Sequence, residues 1–453
     1  MKLSRVMSII LIVLTVLGWM ALIVAPRDNV KKEIDSHLEL AEGYLDHGLY
    51  QKAIEEYNAA LLLDPESEKL WTDKLTIYAK LYDENNSKDV YSKYLSEAKQ
   101  GLYLFPKNEQ FILTVANLYI VKNDYRSAYR TLTKAVDGGL KSESVLKLQL
   151  ETKYAFETKY MKYSEVKDCV NGYYAALNLD KWIYLDEKGL TVKFPAVAYA
   201  GPVGEDTIRF VTEKDSERNY LMDGDKVIQG FFGKIPVDAG VYSEGLIAIK
   251  FDKKYCYYNS IGDVQFDNAQ YDFAGTFYKG TAAVKVNGKW HIIDTDGNYV
   301  DDEEYDDIVL NSDFTYLKKG VKTFKYAGDN KYTIIVNDKE IGKYDSVGVV
   351  TDDGLIAVRE NGNWGFINLK GEFVIDPQFV DARSFSGGLA AVYDGSKWGF
   401  VDKDGILAIP YQFFDVGYFN KTGCCMVLTE QKVDDKTKKV TSTWQIISLY
   451  NTK

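Results

Sequence analysis

Cysteine, histidine and proline are scarce in this chain of 453 residues, and the first two scarcities narrow its function. Four cysteines are too few for a disulfide framework, and none has the paired Cys-x-x-Cys spacing that marks a zinc site. Three histidines leave little material for acid–base chemistry, and no Gly-x-Ser-x-Gly, Walker or His-Glu-x-x-His motif is present. We therefore predict a protein that is not an enzyme and that holds neither a cofactor nor a metal.

An excess of basic residues is also missing. The net charge of −11 argues against a nucleic-acid partner, whose phosphates require a compensating basic patch. Tyrosine is abundant, with 35 residues, and it favours the half-buried surfaces of β-sheets. The length allows about two or three domains.

Residues 1–30 contain a long run without charge, from Val6 to Ala25. About twenty apolar residues in a helix span about 30 Å, the thickness of a bilayer core. The run is longer than the roughly 7–15 apolar residues of a cleaved signal peptide and lacks an Ala-x-Ala site, although cleavage remains an alternative. We predict a signal-anchor helix, which makes the protein single-pass in the cytoplasmic membrane with its C-terminal bulk extracytoplasmic.

Residues 33–157 have helical periodicity, and small residues recur where two antiparallel helices would approach closely. The pattern positions are Leu40, Ala41, Tyr44, Ala53, Tyr57, Ala60 and Pro65 in one copy, and Val115, Ala116, Tyr119, Ala128, Leu132 and Ala135 in another. This spacing resembles the tetratricopeptide repeat family, in which the first helices line a concave groove that binds extended peptides. The resemblance places a candidate groove at Glu42, Leu45, Asp46, Asn117, Ile120 and Val121. A rigid spacer is the alternative.

Residues 160–453 repeat with a period of about 35 residues. The clearest copies contain NGNWGFINLKG, which ends at Gly371, and GSKWGFVDKDG, which begins at Gly395. Each copy reads as three strands joined by tight Asn/Asp/Gly turns. The last copy lacks its final segment, and residues 162–170 are expected to complete it. Repeated small antiparallel sheets indicate an all-β propeller of about seven or eight blades.

A tryptophan recurs at the same position of several copies, and we call this set the tryptophan column. With it, the copies resemble the WG-repeat (KWG-repeat) family of bacterial proteins. The residues that carry the resemblance are Trp364–Gly365 and Trp398–Gly399, with Trp182, Trp290 and Trp444 keeping the tryptophan alone. A residue that recurs once per copy is typical of packing anchors between neighbouring sheets, and a ligand-stacking column is the alternative. Residues that carry function are therefore expected where the copies differ.

The combined prediction is a multidomain chain with a transmembrane helix, an all-α tetratricopeptide-like array and an all-β propeller. We expect a membrane-anchored binding or scaffold protein whose partner is a protein or a cell-envelope glycan. A propeller-based glycan hydrolase is the alternative, because two of the 66 acidic residues could meet in a channel.

Overall fold

The structure, a computed structural model, describes residues 28–213, 218–232, 236–434 and 437–451. The described residues divide into two units, the first ending at Lys153 and the second beginning at Tyr154. The first unit consists of helices, and the second consists of antiparallel sheets.

The helical unit has seven helices among its described residues. They are α1, described over residues 28–46, α2 (Tyr50–Leu63), α3 (Glu68–Glu84), α4 (Lys88–Leu104), α5 (Glu109–Val121), α6 (Tyr125–Asp137) and α7 (Glu143–Lys153). Four helix starts follow from their N-cap residues, whose side-chain oxygens accept hydrogen bonds from backbone N–H groups of the first turn. These residues are Ser67, Ser87, Asn108 and Asp124.

The small pattern positions lie where the helices meet. Ala41, Ala53 and Ala60 are fully buried in one hydrophobic cluster, and Ala116 and Ala128 are fully buried in another. Consecutive helices pack against each other in chain order. The predicted helical array is therefore confirmed, and the cause is the one expected: residues without bulk let the helix backbones approach.

The predicted transmembrane helix is not supported. Within the described ranges no helix is long and apolar enough to cross a membrane, and the run from Val6 to Ala25 lies outside them. The described helices carry charges on one side, as helices with a single buried face do. This finding corrects both the predicted membrane anchor and the single-pass location derived from it.

The β unit forms seven sheets from its described residues. The first has β2 (Glu165–Val170), β3 (Tyr173–Asn178) and β4 (Lys181–Asp186). The second has β5 (Tyr199–Ala200), β6 (Ile208–Thr212), β7 (Arg218–Asp223) and β8 (Lys226–Phe232), and the third has β9 (Pro236–Ala239), β10 (Leu246–Phe251) and β11 (Lys254–Asn259).

The fourth sheet has eight strands: β12 (Phe273–Ala274), β13 (Thr281–Val286), β14 (Lys289–Asp294), β15 (Tyr305–Ile308), β16 (Leu317–Lys318), β17 (Val321–Tyr326), β18 (Tyr332–Val336) and β19 (Lys339–Tyr344). The fifth has β20 (Ser346–Val347), β21 (Ile356–Glu360), β22 (Asn363–Ile367) and β23 (Phe373–Phe379). The sixth has β24 (Asp381–Ala382), β25 (Ala390–Tyr393), β26 (Trp398–Val401) and β27 (Leu407–Phe413). The seventh has β1 (Phe156–Thr158), β28 (Asp415–Val416), β29 (Cys424–Val433) and β30 (Val440–Leu449).

The predicted propeller of seven or eight blades is wrong. The sheets have unequal strand numbers, and no closed barrel or propeller is found in the described part of the chain. One cause is Tyr305 of β15, which pairs with Trp290 on one side and Tyr326 on the other and so merges two repeats into one sheet. The end segment was placed correctly only in part: Tyr163 forms a bridge with Trp444 of the last sheet, but β1 supplies the strand that completes this sheet, and residues 165–170 form β2 of the first sheet.

The hairpin turns follow from their residues. At the β13–β14 and β21–β22 turns, Asn287–Gly288 and Asn361–Gly362 all have positive φ, as the predicted tight turns require.

The glycine that follows each matching tryptophan is required for a different reason. The facing strand contains a β-bulge. Trp398 pairs with Phe413 and Phe400 pairs with Ile409, so two steps on β26 face four steps on β27. The bulge brings the backbone close, and a Cβ on Gly399 would lie 2.7 Å from the carbonyl oxygen of Ile409. A Cβ on Gly365 would lie 2.6 Å from the carbonyl oxygen of Ile375.

Candidate functional site

The predicted tryptophan anchors lie in hydrophobic clusters. Trp290 and Trp398 are buried, and Trp182, Trp364 and Trp444 are half-buried. Trp398 of the sixth sheet shares its cluster with Val416 and Val427 of the seventh. The other tryptophans likewise share clusters with residues of the following repeat. Packing between repeats remains our interpretation of this column.

The candidate groove residues lie on two helices, α1 and α5. Glu42, Asp46, Asn117 and Val121 are exposed, whereas Leu45 and Ile120 are half-buried. The half-buried pair packs against the two hydrophobic clusters of the unit.

The β unit contains a cavity of about 1330 Å³ that the sequence analysis did not identify. Its walls come from strands β2 and β28 and from the segments that follow β15, β20 and β24. The acidic side chains that line it are those of Asp168, Asp186, Glu187, Asp313, Asp352, Asp353 and Asp415. The basic ones are those of Lys167, Lys188, Lys318, Arg383 and Lys421. Acidic residues are therefore in excess.

Arg383 connects the cavity wall to the tryptophan column. Its Nη2 donates to Oδ1 of Asp415 at 2.7 Å, and the guanidinium lies 4.9 Å from the ring centroid of Trp398. Among the described residues Arg383 is within ion-pair distance of Asp415 but not of Asp168. The guanidinium is thus held by one carboxylate and one aromatic face.

Asp168 is brought to the cavity by a β-bulge. Lys167 pairs with Ala175 while Val170 pairs with Tyr173, so the strand carries one extra residue at Asp168 and Cys169. A bulge re-aims the side chains that it contains. Asp168 is exposed to solvent in the open cavity, and the protein atoms around it raise the pKa of its carboxyl by displacing part of its hydration. Asp415 raises this pKa further, whereas Arg383 and a hydrogen bond from Ser312 lower it.

A smaller chamber of about 520 Å³ adjoins this point and is more apolar. Its aromatic side chains are Tyr173, Tyr184, Phe273, Phe314 and Tyr418. The two chambers share Lys167, Asp168, Ser312 and Tyr418 among their lining residues. Burial raises the pKa of Tyr418 to about 12, so its hydroxyl stays protonated at neutral pH.

Lys167 also lies at the junction, but its ammonium already has partners. Its Nζ donates to the carbonyl oxygen of Ala200 at 2.8 Å and lies 4.2 Å from the ring centroid of Tyr199. Burial lowers the pKa of Lys167, and the nearby carboxylate of Asp238 raises it again.

The chemistry available in the cavity is hydrogen bonding and ion pairing. Burial raises the pKa of Cys169 to about 12 and also raises that of Cys425, so neither is a thiolate nucleophile at neutral pH. Within the described residues no group of three or more histidine, cysteine, aspartate or glutamate side chains could hold a metal ion.

The sequence analysis missed the cavity residues because it concentrated on the strands that contain the tryptophans. Asp168 lies in β2, Asp415 begins β28, and Arg383 directly follows β24. The available signal was the arginine, since the comparable segments after β12, β20 and β28 have a glycine at this point.

Four segments of the β unit match the family model described as the WG containing repeat. The matches cover residues 268–290, 342–364, 364–398 and 398–432, less than half of the chain. The sequence matches no curated protein. The resemblance of the C-terminal region to WG repeats is therefore supported.

The solved structures found by comparison are distant. Kluyveromyces lactis Hsv2 is 8% identical with a TM-score of 0.36, and the match covers 66% of this chain and 100% of that one. The virginiamycin B lyase of Staphylococcus aureus, in a catalytically inactive form with quinupristin, is 14% identical with a TM-score of 0.31, over 55% and 95%. The Sgt2 tetratricopeptide domain of Aspergillus fumigatus is 19% identical with a TM-score of 0.22, over 27% and 77%. Scores this low carry no argument about function.

Proposed function

We propose that this protein is a binding or scaffold protein that holds an extended peptide segment of a protein partner on α1 and α5 of its helical unit. The observation that supports this most is the exposure of candidate groove residues beside fully buried packing positions. Val121 is 55% exposed on the same helix as the fully buried Ala116. An apolar side chain left in water next to a well-packed core is available for a partner.

The charge of these positions indicates the chemistry of the partner. Glu42 and Asp46 are exposed carboxylates on α1, and Ile120 and Val121 supply apolar surface on α5. A peptide with basic side chains at one end and apolar side chains at the other would complement them.

The test uses the full chain and a phage-displayed library of linear peptides. Selected peptides should be basic and apolar, and their binding should weaken by about tenfold or more in the double variant Glu42→Lys with Asp46→Lys. The matched control is Glu55→Lys, because Glu55 is an exposed glutamate on α2 outside the candidate groove.

Four outcomes would contradict the proposal. Equal losses in the control and the double variant would indicate a general charge effect. No selected peptide, or peptides that bind the double variant as well as the parent, would favour the rigid spacer. Turnover of a cell-wall glycan library that Asp168→Asn abolishes would favour the hydrolase instead.

A further inference from the structure

The joined cavity of the β unit is a ligand site of a different kind from the peptide groove. Its larger chamber is polar and its smaller chamber is aromatic, and the two meet at Asp168. Small-molecule sites combine an apolar chamber of this order of volume with a few polar groups that fix orientation.

The carboxyl at the junction is the group best placed to receive a ligand. Arg383 forms its ion pair with Asp415, and it only partly offsets the surroundings that disfavour the negative charge of Asp168. The bulge in β2 directs Asp168 to the point where the chambers meet. The raised pKa of Asp168 agrees with this, because the surroundings disfavour its negative charge and a bound cation would restore it.

The side chains around the junction decide the sign of the ligand. The lining count alone does not set this sign, because Asp352 and Asp353 pair with Lys319 and Lys403 outside the lining. Asp168 is the carboxylate that both chambers share, and it has no ion-pair partner within 4 Å among the described residues, which favours a cation over an anion. The smaller chamber presents aromatic rings, among them Phe273, Phe314 and Tyr418, which accept an apolar group. Lys167 opposes a cation less than its charge alone would, since the carboxylate of Asp238 lies near its ammonium.

We propose that this cavity binds a small amphipathic amine, with the ammonium group on the Asp168 carboxylate and the apolar part among the rings of the smaller chamber. The interaction is an ion pair supplemented by aromatic contacts. It requires no residue of the helical unit and is independent of the proposed peptide groove.

Calorimetric titration of the full chain tests the ligand class with four matched probes. Phenethylamine carries both the ammonium and the ring, phenethyl alcohol lacks the charge, hydrocinnamate reverses it, and ethylamine lacks the ring. We expect phenethylamine to bind at least about tenfold more tightly than each of the other three. Maltotriose, added as a neutral saccharide, should bind no better than phenethyl alcohol.

Two variants locate the site. Asp168→Asn should reduce phenethylamine binding at least about tenfold, towards the level of the alcohol. Asp404→Asn is the control, because Asp404 is an exposed aspartate of the same unit outside the cavity lining. If Asp168→Asn does not fold, the comparison of the probes on the parent protein still decides the proposal.

The proposal fails if no probe binds, or if hydrocinnamate, the alcohol or maltotriose binds as well as the amine. It also fails if a folded Asp168→Asn protein retains amine binding. An equal loss in Asp404→Asn would place the effect in the overall charge and would overturn the assignment to Asp168.

Discussion

The helical unit and the β unit are both built from repeats, but their repeats approach each other by different means. In the helical unit Ala53 and Ala60 are fully buried between helices, so a methyl group fits at the contact. In the β unit a methyl group does not fit at Gly365 or Gly399, because the bulged backbone of the facing strand occupies its place. Helices here meet through side chains, whereas these strands meet through their backbones.

The two units also differ in how one repeat is joined to the next. In the β unit a carboxylate of one repeat accepts hydrogen bonds from the backbone of the following one. Glu244 accepts from the N–H groups of Lys279 at 2.6 Å and Gly280 at 2.9 Å, and Asp353 accepts from Gly388 at 2.8 Å. In the helical unit the helices share two hydrophobic clusters, and polar contacts between repeats run between side chains, as from Nδ2 of Asn108 to Oε1 of Glu68 at 2.7 Å. Polar connections of this kind fix the register of repeats that hydrophobic packing alone leaves free to slide.

The largest expected effect is at the tryptophan column. Trp398→Ala should lower the free energy of unfolding of the β unit by about 3–5 kcal/mol, because a buried ring would leave a cavity between two sheets. Chemical denaturation, followed by a probe of the β unit, measures this loss. A folded variant of unchanged stability that had lost only ligand binding would show that Trp398 is not a packing residue.

A smaller loss of stability tests whether the strands of the β unit are in contact through their backbones. Gly399→Ala should cost about 1–3 kcal/mol, because its Cβ would overlap the carbonyl of Ile409. Gly240→Ala is the control, since its Cβ would lie at an ordinary 3.6 Å from its neighbours. Equal stabilities of the two variants would contradict the backbone-contact explanation.

The polar connection between repeats should contribute less, because it lies at the surface. Glu244→Ala removes the acceptor of two backbone N–H groups and should cost about 1 kcal/mol. Thermal unfolding of the full chain measures the change. The matched control is Glu304→Ala, because Glu304 is an exposed glutamate of the same unit, and an equal loss of stability there would contradict the proposed role of Glu244.

The smallest expected effect is an increase in stability, and it concerns the helical unit. Gly43 is an exposed residue inside α1 with no atom within 4 Å of an added Cβ, so Gly43→Ala should stabilise the unit by about 0.5–1 kcal/mol. Gly101→Ala should not, because its Cβ would lie 2.2 Å from the ring of Phe111. Circular dichroism during thermal unfolding distinguishes the two, and stabilisation by both would refute close packing at Gly101.

The sequence predicted the repeated parts of both units because their signals are local. The spacing of Ala41, Ala53 and Ala60 indicated pairs of helices, and Asn–Gly turns indicated the hairpins. The transmembrane prediction rested on the hydropathy of residues 6–25, which lie outside the described residues. No helix among the described residues is long and apolar enough to cross a membrane. The propeller prediction was wrong because periodicity counts repeats but does not decide which strands pair across a boundary, as Tyr305 shows.

The candidate site could not be predicted from the sequence. Asp168 and Arg383 lie far apart in the chain and share a cavity only because strands from the start and the end of the β unit line it. The sequence by itself determined the period, the turns and the small residues between the helices, since these signals depend on residues close together in the chain. The tertiary structure alone decided how the strands group into sheets and which linker side chains face one another, because both depend on contacts between distant parts of the chain.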